Sequence, residues 1–325
     1  MKTAMGKLPV WLLFACSFTW GADYPTRPVT IVVPFAPGAT TDASARFVAK
    51  GASELTGQAW IVTNRTGGSG AIGSEIVAKS APDGYTLLLG TTSTHSINPF
   101  VFDKLSYSVD QFRAVGLVVT STFVLMINPK MPTRNLAEFA SYIKANPGKV
   151  NFGTAGDLTT TDLGRISIEK ETGGKVTSIP FKGSTDAVNA LLSGDIQASL
   201  MNGAQAVQYE KAGKARILAV LGPQRLAIMS HVPTSREGGY PGIIADSWFG
   251  VFAPARTPQD ILVKLNDVIR KAADGEQIRK YTEQQGGDPG FAPGLGLSEV
   301  DAYLAEQSRR WGGLIKSMPI SKEKN

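Results

Sequence analysis

Apolar runs that suit β-strands alternate with helical stretches along most of the chain. The first run, VTIVVPF at 29–35, precedes a stretch whose apolar residues recur at helical spacing: Ala43, Phe47, Val48, Ala52 and Leu55. Two further strand-like runs, AWIVTN and YTLLLGTT, follow with a helical segment between them. This alternation is typical of βαβ units, so the pattern predicts an α/β fold with mostly parallel sheets flanked by helices.

A second series of α/β units begins near residue 122 and ends near residue 246. The segment ADSWFGVFAPARTP then leads into a long helix, for which Thr257 is the expected N-cap and Pro258 the first-turn proline. A last helix is expected to open at Ser298, with Asp301 completing a capping box. The order of elements predicts two α/β blocks, the second inserted into the first.

The first 22 residues have the pattern of an export signal. Lys2 and Lys7 precede the apolar stretch LPVWLLFACSFTW, and small residues in GADYP suit cleavage near Gly21 or Ala22. Cleavage there would remove Cys16, the single cysteine, and with it disulfides, thiol catalysis and cysteine-based metal sites. The alternative is that LFAC is a lipobox, and that Cys16 is retained as a lipid anchor.

Composition and charge narrow the class of protein. The chain of 325 residues is 42% hydrophobic and 18% charged, which suits two ordinary globular domains. The formal net charge is +6, but lysines and arginines are scattered along the helices. A nucleic-acid partner is therefore not expected, because such a partner requires a clustered basic surface.

Motifs for covalent catalysis are weak in this sequence. It has only two histidines, His95 and His231, and no GxSxG or HExxH motif.

The run GSGAIG at 68–73 matches a dinucleotide motif, but the next strand, YTLLLGTT, lacks the acidic residue that would bind a ribose. We interpret the run as a tight glycine turn, and we expect no enzyme activity, cofactor or metal. An enzyme for nucleotides or phosphates that uses GSGAIG is the alternative, and a lipid-anchored adhesin or scaffold is a third hypothesis.

Four segments that follow predicted strands are rich in Gly, Ser and Thr and poor in cations. They are APGATTD at 36–42, TTSTHSIN at 91–98, GTAGDLTTTD at 153–162 and KGSTD at 182–186. Loops at the carboxyl ends of strands in an open α/β sheet meet in one crevice. Helix N-termini there offer free backbone N–H groups, and Gly38 lets the backbone come close, so the loops predict a cradle for a small anion.

Several motifs resemble the Bug family of extracytoplasmic solute receptors, the binding subunits of tripartite tricarboxylate transporters. The resemblance covers nearly all of the chain from Tyr24 onward, and the motifs occur in the right order: YPTRPVTIVVPFAPGATTD, NRTGGSGAIGSEIVAKSAPDGYTLLLG, PFKGSTDAVNALLSGDIQASLMN, VPTSREGGYPG and SWFGVFAPARTP.

This resemblance implies a two-lobed type II periplasmic binding protein, which closes like a Venus flytrap on a small organic carboxylate. The expected divisions are a signal peptide at 1–22, a first lobe at 23–122 with 246–325, and a second lobe at 123–245. The implied function is delivery of the carboxylate to the membrane permease of a tripartite tricarboxylate transporter. The receptor is expected to be a periplasmic monomer.

The resemblance also implies which residues bind the ligand. In the first lobe they are Ala36, Gly38, Ala39, Thr40 and Asp42, together with Thr92, Ser93, His95 and Asn98 on the next loop. In the second lobe they are Thr154, Gly156, Thr159 and Thr160, followed by Gly183, Ser184 and Asp186.

Two departures from the family pattern bear on the ligand. Ala39 stands where the family commonly has a second glycine, so it would restrict the backbone or add a methyl group to the cradle. In the second lobe, Leu158 replaces a glycine and Asp162 replaces a histidine. These changes predict an uncommon ligand, such as a less polar or aromatic carboxylate.

Overall fold

A computed structural model describes residues 24–38, 40–156, 159–181, 184–284, 289 and 291–317, with the backbone but not the side chains of Ser184, Thr185 and Ala204. The predicted signal peptide with Cys16 lies outside these residues, as do Ala39, Leu158 and Gly183. Within the described part, no helix is both long enough and apolar enough to cross a bilayer.

The described part contains nine strands. In chain order they are β1 (Val29–Val33), β2 (Trp60–Asn64), β3 (Thr86–Thr91), β4 (Phe112–Ile127), β5 (Asn151–Thr154), β6 (Thr177–Pro180), β7 (Ala198–Asn202), β8 (Arg216–Val220) and β9 (Asp246–Pro254).

The α-helices of the same residues are α1 (Thr40–Thr56), α2 (Ala71–Ala78), α3 (Asn98–Val101), α4 (Leu136–Ala145), α5 (Thr160–Thr172), α6 (Ser184–Ser193), α7 (Gly203–Lys211), α8 (Gln259–Ala273), α9 (Glu276–Gln284), α10 (Phe291–Gly294) and α11 (Leu297–Lys316). Short 3₁₀ helices cover Gly68–Gly70, Val109–Gln111 and Ala227–Met229, and a π-helix covers Ser93–Ile97.

Two sheets share the long strand β4. In the first, the strand order is β2-β1-β3-β9-β4, and β4 pairs with β9 as far as Thr122↔Asp246. From Phe123 onward the same strand pairs with β7 and β8, and β7-β5-β6 complete the second sheet. The backbone therefore passes from one sheet to the other within a single continuous strand.

Both sheets are mixed, as expected for the α/β fold, but parallel pairings do not predominate. β1 pairs in parallel with β2 and β3, and β5 does so with β6 and β7. Every pairing of β4 and β9 is antiparallel. The hydrophobic pattern could not distinguish these cases, because strands buried on both faces are continuously apolar in either direction.

Helices cover both faces of each sheet. On one face of the first sheet, α1 and α8 contribute to a core that includes Val48, Leu265 and Ile269. Its other face packs against α2, α10 and α11 around Trp248 and Phe252. The predicted apolar face of α1 was wrong at its end, since Leu55 is 51% exposed. Ala45 and Ala49 are buried instead, because the contact with α8 is close: a Cβ on Gly51 would lie 3.1 Å from that of Ala272.

The starts of the last two long helices differ from the predicted caps. Pro258, not Thr257, is the N-cap of α8, and the Thr257 hydroxyl donates to the carbonyl of Pro254 over 2.8 Å. α11 begins at Leu297, and Glu299 accepts a hydrogen bond from the amide of Gly296 over 2.6 Å. A glutamate three residues after the N-cap satisfies a free amide in the same way as the predicted Asp301 would have done.

Candidate functional site

The start of β9 connects loops from both sheets. Thr92, just after β3, accepts a hydrogen bond from the amide of Trp248 over 2.8 Å. The hydroxyl of Thr160, at the start of α5, lies 3.4 Å from the hydroxyl of Ser247. The loops at 91–98 and 153–162 therefore meet at two adjacent residues of one strand.

The first loop, 36–42, lies next to the loop at 91–98. β1 and β3 pair in parallel in the register Val32↔Leu88, so both strands end at the same edge of the sheet. Gly70 packs between the two loops, because a Cβ there would lie 2.7 Å from Cγ2 of Thr94 and 3.3 Å from Cζ of Phe35.

The fourth loop starts beside the third. The amide of Phe181 donates to the carbonyl of Thr154 over 2.9 Å, and a Cβ on Gly156 would lie 3.8 Å from the Phe181 carbonyl. Asp186, in the first turn of α6, is exposed. The carboxyl ends of β1 and β3 thus lie side by side, as do those of β5 and β6, and Thr92 and Thr160 link the two pairs at the start of β9.

The first loop is held by its own carboxylate. Gly38 has a φ of +83°, and its amide donates to Oδ2 of Asp42 over 2.9 Å, whereas Ala36 is exposed. Asp42 is only 3% exposed, and Arg46 and Asn64 also donate to its carboxylate. The hydrogen bond from Arg46 is the main reason why the pKa of Asp42 is lowered to about 2. Asp42 was expected to contact the ligand. The structure corrects this expectation, because the carboxylate accepts its hydrogen bonds from Gly38, Arg46 and Asn64.

His95 belongs to the loop at 91–98, but its side chain is buried. It is 4% exposed and stacks on Phe252 at 4.0 Å between ring centroids, with Phe112 and Trp248 at its edges. Its Nδ1 lies 2.8 Å from the hydroxyl of Thr94. Burial lowers the pKa of His95 to about 3, so the imidazole is neutral at physiological pH. The expectation that His95 lines the cleft is therefore corrected: it is part of an aromatic core.

Asn98 also has a structural partner, because its side-chain amide donates to the carbonyl of Ser69 over 2.9 Å. Of the remaining predicted residues on this loop, Ser93 is half-buried and Thr92 is buried. Backbone groups and the edge of the Ser93 side chain are thus what this loop can present to a ligand.

The loop of the second sheet is tied down by threonines. Thr159 is the N-cap of α5, and its hydroxyl donates to the carbonyl of Gly156 over 2.7 Å. Thr161 accepts from the amide of Ala155 over 2.8 Å. Thr154 is fully buried, so its side chain cannot reach a ligand in this conformation, whereas Thr160 is half-buried beside Ser247. Thr160 is therefore the predicted threonine that is best placed between the two sheets.

The glycines of GSGAIG allow neighbouring backbone segments to pack closely. A Cβ on Gly73 would lie 2.8 Å from the carbonyl oxygen of Arg65 and 2.9 Å from Cα of Pro34, both of them backbone atoms. Gly68 and Gly70 have positive φ values of 53° and 91°. The motif thus lets α2 approach the end of β1 closely, which explains its glycines without a nucleotide.

Ser247 also lines a cavity of about 390 Å³ beside the crossing strands. The residues that line it include Leu226 and Ile228, from the segment between β8 and β9, and Phe291 and Tyr303, from α10 and α11. Among the described residues, no group of three His, Asp or Glu side chains is placed to hold a metal ion.

Sequence reasoning missed the residues that shape these loops. Arg46 could have been found, because it lies four residues after Asp42 on a helix, the spacing of an ion pair. Ser247 and Trp248 had no local signal, since their partners Thr92 and Thr160 are far away in the chain.

Comparisons with known proteins agree on one family. The family model described as "Tripartite tricarboxylate transporter family receptor" matches residues 44–320. Protein BugT of Bordetella pertussis is 34% identical over 295 residues, which make up 90% of this chain and 90% of BugT.

Solved structures give the same result. A TctC solute-binding protein from Polaromonas, determined with no ligand, has a TM-score of 0.81 and 27% identity, over 91% of this chain and all of that one. An R. palustris protein determined with adipate has a TM-score of 0.72 and 32% identity, over 90% of this chain and 98% of that one.

Proposed function

Because the chain belongs to the tripartite tricarboxylate transporter receptor family, we propose that it captures a small organic carboxylate between two lobes and delivers it to a membrane permease. The expected two-lobed type II periplasmic-binding-protein fold is confirmed by the solved relatives. The relatives are solute-binding receptors, and we propose that this chain likewise binds its ligand without covalent chemistry.

The meeting of two loops at the start of β9 carries the proposal. Thr92 and Thr160 belong to loops from different sheets, yet they contact adjacent residues of one strand. A ligand placed beside Ser247 would therefore touch both lobes at once. Such a ligand favours the closed arrangement by its differential affinity for that state.

The hinge of this movement would lie where the chain crosses between the sheets. We propose that residues 23–122 with 246–325 form one lobe and residues 123–245 the other. In support, β4 changes pairing partners between Thr122 and Phe123, and β9 begins at Asp246.

Helix N-termini would supply most of the attraction for the carboxylate. α1, α5 and α6 all begin at the loops described above, and the first-turn amides of a helix have no partner within the helix. A hydrogen bond to a charged acceptor contributes roughly 1.5–3 kcal/mol. Four or five of them could reach about micromolar affinity after desolvation and ordering costs.

The test is a thermal-shift screen of the protein against malate, adipate, citrate and benzoate, with NAD and ATP as comparison ligands. We expect at least one acid, at about 100 times its Kd, to raise the Tm by roughly 5–10 °C. A response to NAD or ATP and to none of the acids would contradict the proposal, and would favour the nucleotide alternative at GSGAIG.

The cavity beside Ser247 gives room for the body of the acid. Its apolar lining includes Ile228, which is 45% exposed. We expect Ile228→Trp to fill part of this space and to weaken binding of the longest acid that the screen identifies by about tenfold, equivalent to about 1.4 kcal/mol.

Calorimetry measures this effect, with Val263→Trp as the control. Val263 is 53% exposed on α8, so a larger side chain there should leave the Kd unchanged. Equal affinities of Ile228→Trp and the parent protein would show that the ligand does not enter this cavity.

Location and assembly complete the proposal. We propose a periplasmic monomer, exported by the segment at 1–22, that serves a tripartite tricarboxylate permease. Mass spectrometry of the mature N-terminus distinguishes cleavage near Ala22 from lipidation at Cys16.

A further inference from the structure

The two lobes build their ligand loops with the same short sequence. α1 begins Thr40-Thr41-Asp42, and α5 begins Thr160-Thr161-Asp162. In each helix an arginine follows one turn later, Arg46 in the first and Arg165 in the second. Both aspartates are buried, at 3% and 5% exposure, although they stand next to a site proposed for an anion.

The carboxylate of Asp42 is saturated by four donors. Its Oδ2 accepts from the Gly38 amide and from Nε of Arg46, both at 2.9 Å. Its Oδ1 accepts from Nδ2 of Asn64 at 2.9 Å and from Nη2 of Arg46 at 3.0 Å. A carboxylate with four donors has no remaining attraction for a ligand donor, and the paired arginine balances its charge.

The same network closes the loop at both ends. Nδ2 of Asn64 donates not only to Asp42 but also to the carbonyl of Phe35 over 3.0 Å. Phe35 is at the end of the first strand region, and Gly38 is at the centre of the turn. The side chains of Asn64, Asp42 and Arg46 therefore hold the loop by hydrogen bonds at its start, its centre and its end.

The second lobe has a similar buried ion pair at the start of α5. Nε and Nη2 of Arg165 lie 2.9 and 2.8 Å from Oδ1 of Asp162, and Nη1 of Arg165 lies 2.9 Å from Glu169. All three side chains are at most 12% exposed. The hydroxyl of Thr159 accepts from the amide of Asp162 and thereby caps the helix.

We propose that Asp42, together with Arg46, is a positioning residue that holds the first ligand loop in its binding conformation without touching the ligand. The inference rests on the proposed function, because it assigns the anion to the amides that the ligand loops present. In the first lobe those amides belong to the first turn of α1, since the Gly38 amide is already bonded to Asp42. Fixing donors before binding removes an ordering cost that the ligand would otherwise have to offset.

Asp42→Ala tests the first lobe, and Asp267→Asn is the matched control. Asp267 pairs with Lys271 at 2.7 Å with the same spacing of four residues, but it is 60% exposed on α8. Hydrogen exchange of the ligand-free protein reports on the loop directly. We expect the Gly38 amide to exchange at least about tenfold faster in Asp42→Ala, because its acceptor is lost, and to be unchanged in Asp267→Asn.

Binding kinetics with the acid found in the thermal-shift screen give the second measurement. If the loop must be ordered before it binds, the association rate constant of Asp42→Ala falls by about tenfold while the dissociation rate constant changes little. A merely structural role would lower the Tm and leave the association rate constant unchanged.

Two results would overturn the proposal: unchanged exchange at Gly38, or an unchanged association rate constant beside a lowered Tm. If Asp42→Ala does not fold, Arg46→Met removes two of the four donors at an exposed side chain and is measured in the same way. If no acid binds the parent protein, the proposed function fails, whereas the exchange experiment still decides whether Asp42 orders the loop.

Discussion

Trp311→Ala is expected to lower the free energy of unfolding by about 3–5 kcal/mol, the usual range for removing a large buried aromatic side chain. Trp311 is fully buried in a cluster that combines residues from distant parts of the chain. Ile97 and Val101 precede β4 in the chain, whereas Leu163 and Ile244 lie between β4 and β9. The substitution would leave a cavity at the contact of α11 with both parts of the chain.

Urea unfolding at constant pH measures this loss, and Val263→Ala is the control. Val263 is 53% exposed, so its truncation should change the free energy of unfolding by less than about 0.5 kcal/mol. A loss below about 1 kcal/mol in Trp311→Ala would mean that the cluster collapses around the gap, or that α11 contributes little to the fold.

Acidification from pH 7 to pH 4 is expected to remove about 3 kcal/mol of stability through His95 alone. Burial among aromatic rings lowers the pKa of His95 to about 3 in the folded protein, whereas an unfolded histidine titrates near 6.5. Between these two values the unfolded chain binds a proton that the folded protein does not. The free energy of unfolding therefore falls as the pH falls through this window, and the contribution is fully present above about pH 6.5.

His95→Gln removes the titrating group, and urea unfolding at pH 4 and pH 7 gives the comparison. The variant has a lower stability at pH 7, but the change between the two pH values should be smaller than in the parent protein by about 3 kcal/mol. Tyr107, whose ring lies 6.4 Å from that of His95, does not contribute in this window, since the pKa of a tyrosine lies well above it and burial raises that of Tyr107 further, to about 12.

His231→Asn is the control, because the side chain of His231 is 68% exposed and only pairs with Glu210. Its free energy of unfolding at pH 7 should differ from that of the parent protein by less than about 0.5 kcal/mol. If His95→Gln left the pH dependence of unfolding unchanged, the imidazole would have to be charged within the folded core.

The contrast between Asp42 and His95 shows what a sequence can predict. The loop at 36–42 was placed correctly at a strand-to-helix junction, because its strand, its glycine and its first-turn acid are all local signals. The i,i+4 spacing of Asp42 and Arg46 is local as well. The environment of His95 depends on Phe112, Trp248 and Phe252, which reach it only through the pairing of β3, β4 and β9.

Contacts between residues far apart in the chain also explain where the other predictions differ from the structure. Leu55 has the right spacing for a buried face, but it is exposed at the end of α1, whereas Val48 and Ala52 of the predicted stripe are buried together with Ala45 and Ala49. The strands β4 and β9, which pair antiparallel, are as apolar in sequence as the strands that pair in parallel. The order of the loops could therefore be predicted, whereas the direction of the crossing strands and the partners of buried polar groups required the fold.

The shared strand β4 has a consequence for engineering. Because its sixteen residues bond to neighbours in both sheets, neither half of the molecule is a module that can be cut out and grafted whole. A chimaera that exchanged only the inserted block would have to take β4 from one of the two parents. Either the first sheet would then lose its matching edge strand, or the second sheet would lose its matching central strand. A recombinant receptor with a new ligand preference should therefore be built by replacing loops at the strand ends, with β4 kept intact from one parent.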